Sequence, residues 1–73
     1  MPNVRIIDNG QFMVTVNGLA VVGFYSLGLA WEHIRWMHDV AGQQFTVGKN
    51  NTPVEEWIRK MEESCGLEKK VTV

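Results

Sequence analysis

Two Asn-Gly pairs, Asn9-Gly10 and Asn17-Gly18, interrupt the first third of the chain and constrain its fold more than any other feature. Both central positions of a type I′ turn need a left-handed backbone, so Asn-Gly between apolar runs marks a tight hairpin. The runs NVRIID, QFMVTV and LAVVGFY are rich in β-branched and aromatic residues. Together they predict a three-stranded antiparallel meander over about 3–8, 11–16 and 19–25. If both turns are two-residue loops, Ile7 opposes Phe12, Arg5 opposes Val14, Val14 opposes Val21 and Val16 opposes Leu19. One face then holds Arg5, Ile7, Phe12, Val14, Val16, Leu19 and Val21, and the other Val4, Ile6, Asp8, Met13, Thr15, Ala20, Val22 and Phe24. Neither face is polar, so cover is expected on part of each.

Ser26 is placed to cap a first helix running to about Ala41, with Gly42 as the left-handed residue that closes it. Gln43 to Lys49 reads as a fourth, short strand able to join the sheet edge. TPVEEWIRKMEESCGL follows, in which Thr52 reads as an N-cap, Pro53 as the first helical residue and Glu55 as the partner in a capping box. Gly66 and Leu67 suit a Schellman closure. The expected fold class is α+β in the order βββαβα: a meander with two helices and that fourth strand. Residues 1–67 form one domain in this reading, and 68–73 a loosely attached tail.

The two helices differ in pattern. In the second, Val54, Trp57, Ile58, Met61 and Cys65 form a single stripe, while Glu55–Arg59 and Glu56–Lys60 stand in the favourable i,i+4 order on the outer faces. In the first, Leu27, Trp31, Ile34, His38 and Ala41 gather around one direction, Ala30 and Met37 lie beside them, and Leu29, His33, Trp36 and Val40 widen the apolar arc to roughly 220°. Trp31 and Trp36, five residues apart, cannot share one narrow face. Two placements of Trp36 are open: under the second helix or the Phe45 strand, or in an exposed patch with Leu29 and Val40 that a partner covers.

Composition narrows the chemistry. Seven Lys and Arg against eight Asp and Glu leave a net charge of −1, without the basic excess that phosphate binding requires. A meander followed by a helix resembles sheet-type DNA readers, yet Arg5 is the one basic residue on its strands, so a sheet-type nucleic-acid-binding module stands as the alternative. The lone Cys65 excludes an internal disulfide and reads as a small buried hydrophobe. His33 and His38 lie about 140° apart around their helix and cannot share a metal unaided. GQQFTVGKNNT has five residues between its glycines and Asn50 where a phosphate loop needs Ser or Thr. His38 next to Asp39 does not read as a base and its orienter, because adjacent helical residues diverge by about 100°.

No catalytic, cofactor-binding or metal-ligating residue is expected, and no small-molecule substrate. No signal segment or membrane-spanning run is visible, which makes the cytoplasm the expected compartment and leaves the Asn50-Asn51-Thr52 sequon unused. The expected function is a non-catalytic interaction or regulatory module that binds a protein partner or a second copy of itself. Its contact surface would be Leu29, His33, Trp36 and Val40, with Arg35 as a polar rim.

Overall fold

A computed structural model describes the backbone of residues 1–72 and the side chains of residues 1–64. The elements are β1 (Asn3–Asp8), β2 (Phe12–Val16), β3 (Leu19–Phe24), α1 (Leu27–Asp39), β4 (Thr46–Val47), β5 (Thr52–Pro53) and α2 (Val54–Thr72). They form an α+β fold around a five-stranded sheet in the order β3-β2-β1-β4-β5. The meander is antiparallel, β4 lies parallel to β1, and β5 returns antiparallel on β4.

The second Asn-Gly behaves as expected. Asn17 and Gly18 take φ of 52° and 85°, and Val16 pairs with Leu19 across a two-residue turn. The first does not. Asp8 pairs with Phe12, so the loop holds Asn9, Gly10 and Gln11, and only Gly10 is left-handed. That added loop residue slides the register by one, placing Ile7 opposite Met13 and Arg5 opposite Thr15, and a one-residue slide moves every side chain to the other face. A bulge at Val21 then shifts Val14 from Val21 to Val22.

The outcome is a sheet with one strongly apolar face, against the two half-apolar faces expected. Val4, Ile6, Phe12, Val14, Val16, Val22 and Phe24 share it, with Val4 and Val14 fully buried. They pack with Ala30, Ile34 and Met37 of α1, with Phe45 and Val47, and with Val54 and Ile58 of α2 in one core. The opposite face keeps Arg5, Ile7, Met13, Thr15, Ala20 and Gly23; Ile7 and Ala20 are exposed on it, whereas Thr15 is buried and the Met13 and Gln11 side chains lie over Gly23.

The helices depart from expectation in detail. The buried line of α1 is Ala30, Ile34 and Met37, while Leu27, expected at the centre of the arc, is exposed. Ser26 precedes α1 with extended backbone but makes no side-chain cap, and Gly42 is left-handed at φ 68° with Gln43 N donating to Met37 O at 3.0 Å. The fourth strand contracts to Thr46–Val47. Thr52 and Pro53, expected as cap and first helical residue, instead form β5, and Val54 N donates to Phe45 O at 3.1 Å. The Asn3 amide ties these short strands together, donating to Thr46 Oγ1 and to Gly48 O at 3.0 and 2.9 Å.

On α2 the stripe holds through Met61, and the Lys60–Glu56 pair forms at 3.6 Å, whereas Arg59 turns to Glu56 and Glu63 rather than to Glu55. The helix is assigned through Thr72 and so does not close at Gly66, since an interior glycine costs about 1 kcal/mol without breaking a helix. The readings of Cys65, Leu67 and tail 68–73 as packed or loose lie outside the described side chains.

Candidate functional site

Helical geometry divides the surface of α1 around its buried line. Leu29, His33, Trp36 and Val40 project within about 60° of one another on one flank, whereas Arg35 points roughly 100° away from Trp36. The structure separates these residues accordingly. Arg35 faces α2, its guanidinium donating to Glu62 Oε1 at 2.8 Å and to Asp39 Oδ2 at 3.1 Å, so it does not rim the flank with the others.

The flank faces β3. His33 is partly buried between two rings, its centroid 5.5 Å from Phe24 and 5.7 Å from Trp36, with the Trp36 ring stacked at an interplanar angle of 18°. The file Phe24–His33–Trp36 steps from the sheet core to solvent. Its outer member is 50% exposed, beside Leu29 at 50% and Val40 at 69%. Trp31, five residues before it, is half-buried on the other side of the helix.

Beneath Trp36 the carboxyl-terminal half of α1 leaves the sheet uncovered. A groove of about 670 Å³ opens there, walled by Val4, Val16, Leu19 and Val21 on the sheet and by His33, Trp36 and Met37 on the helix, with Pro2, Gln43, Gln44 and Phe45 completing the lining. Leu19 is 72% exposed at its mouth. No Asp, Glu, Lys or Arg lines it, and His33 is its one ionisable group. Such a surface can bind an apolar partner and offers no group positioned for bond-making chemistry. Leu19 and Val21 were not among the expected contact residues. Their apolar pair just past Asn17-Gly18 is visible in the sequence, but the expected register without the bulge sets both on one of two half-apolar faces, beside Arg5 and Ile7, with nothing to mark them as exposed.

His38 and Asp39 meet after all, with His38 Nδ1 2.9 Å from Asp39 Oδ1. Adjacent Cβ atoms diverge as expected, and flexible side chains at the helix surface close the gap. That hydrogen bond, and then the one from Arg35, hold the Asp39 carboxyl below its ordinary pKa. The cluster is a surface network linking α1 to Glu62 of α2 and is remote in direction from the groove. Among the described residues no three His, Cys, Asp or Glu side chains converge as a metal site, and no helix is long and apolar enough to cross a membrane. On the open sheet face Arg5 spends its Nε on Asn3 Oδ1 at 2.8 Å. No family model, curated protein or solved structure matches this chain.

Proposed function

We propose that the protein is a non-catalytic interaction module that receives an apolar protein surface on the α1 flank and in the groove beside it. The observation that carries this is the half-exposed Trp36, stacked on His33 at the lip of an uncharged groove. Tryptophan concentrates binding energy at interfaces because it removes a large apolar area from water with little conformational freedom to lose. A chain this small has little reason to leave Leu29, Trp36 and Val40 in water together unless another surface covers them.

The test separates folding from binding. Ile34, fully buried, and Trp36 are each replaced by alanine in the whole chain. Ile34→Ala should cost about 2–5 kcal/mol of stability in urea unfolding. Trp36→Ala should cost less than half as much, yet abolish self-association by light scattering and the retention of any partner on an affinity column. A strictly monomeric wild-type chain that retains the same proteins as Trp36→Ala would overturn the reading, as would a Trp36→Ala chain that unfolds as readily as Ile34→Ala.

A further inference from the structure

The two edges of the sheet are built differently. At one end β5 has two residues, one of them Pro53, and both shortness and proline discourage pairing with a foreign strand. At the other end β3 has six residues, LAVVGF, without a charge or a proline. Its one irregularity is the bulge at Val21, which twists and locally interrupts the edge, so pairing there runs through the regular residues on either side of it, and no charge or proline reinforces the interruption. Leu19, Ala20 and Val21 are exposed along it. An edge of this composition is a template for another strand.

We infer that the surface proposed above is covered by a second copy of the chain, whose β3 pairs antiparallel with β3 of the first across a two-fold axis. The inference rests on the reading of the α1 flank as a docking surface and names its occupant. An antiparallel pair of identical strands is self-complementary, so one sequence suffices for both sides. A two-fold perpendicular to the sheet keeps both copies of α1 on the same face, each presenting its Leu29, Trp36 and Val40 flank to the other.

Spacing decides whether those flanks meet. Strands lie about 4.8 Å apart, so the axis falls about 2.4 Å outside β3. Helix α1 packs on β2 and β3 together, which places it roughly 5 Å from the axis. The two copies of α1 would then lie about 10 Å apart, the upper end of the 8–10 Å at which helices pack. Strand pairing and helix packing are thus satisfied by one operation. The strand β3 and the four flank residues carry no Asp, Glu, Lys or Arg, and the nearest charge on α1 is the exposed Glu32, about 40° round the helix from Trp36, at the border of the contact.

The experiment combines sedimentation equilibrium of the whole chain with amide hydrogen exchange read residue by residue. The expected result is a dimer whose β3 amides are protected and lose that protection on dilution. Ala20→Lys sets a charge on the edge outside both groove and flank, and should raise the dimer dissociation constant at least about tenfold. Circular dichroism checks that the variant is folded; if it is not, the dilution series on the wild-type chain decides alone. A dimer lost in Trp36→Ala but unchanged in Ala20→Lys, with β3 amides exchanging freely, overturns the strand pairing and leaves the docking surface intact. A monomer at every concentration that binds a different protein through Trp36 does the same. A monomer that binds nothing overturns both.

Discussion

Asn17 shows how much of the hairpin depends on one side chain. Its backbone is left-handed, and its Oδ1 accepts from Asn3 N at 2.9 Å, so it both makes the β2–β3 turn and pins the start of β1. Asn17→Ala should cost about 1–2 kcal/mol, because alanine lacks the short polar side chain that eases asparagine into the left-handed region and also loses the hydrogen bond to Asn3. Asn17→Gly relieves the strain and keeps only the second loss, so urea midpoints of the two variants against wild type divide the contributions. Asn9, in the same dipeptide context, stays out of the left-handed region, because Gln11 joins the loop and Gly10 alone supplies the reversal. Nothing in the two dipeptides distinguishes these outcomes; the burial gained when Val4 and Val14 share a face does.

Between α1 and α2 the link is ionic rather than apolar on the Arg35 side: Arg35 bridges Asp39 and Glu62, and His38 completes the network on Asp39. Because the Asp39 pKa is lowered, its contribution is complete at neutral pH, where the carboxylate is charged in folded and unfolded chains alike. It is lost as pH falls below the ordinary carboxylate range through the lowered native value. Asp39→Asn should therefore lower stability slightly at neutral pH, leave the strongly acid end nearly unchanged and flatten the acid limb between them, as thermal unfolding across a pH series will show. At high salt the wild-type chain should approach the variant, since these groups are exposed and screened. The existence and order of the elements were legible because hairpin signals, apolar periodicity and glycine closures act within a few residues. The rotation of α1 was not, because an apolar arc of roughly 220° leaves its buried centre undetermined, and the core took the line Ala30, Ile34 and Met37 rather than the one through Leu27. Hence Trp36 was legible as an apolar outlier but not as the lip of a groove, which exists only once β2 and β3 are in register beneath it.

At the scale of the molecule, one core serves both helices and all the long strands, and Phe45 lies within it from an irregular segment, 2% exposed. Phe45→Ala should cost about 3–5 kcal/mol. A chain of 73 residues has about 4–11 kcal/mol in total, so the variant should melt far lower and lose α2 together with β4 in a single calorimetric transition. The sequence pattern placed Phe45 on a strand, and tertiary burial took it out of one. Strand β1 has a consequence of its own. It opens the chain yet lies in the middle of the sheet, flanked by β2 on one side and by Val47 on the other. During synthesis its first neighbour follows within a dozen residues, but its second must wait until Thr46 and Val47 have been made. A nascent chain halted before Thr46 therefore holds a strand destined for the middle of the sheet with its second rim still open, ready to take up whatever strand it meets.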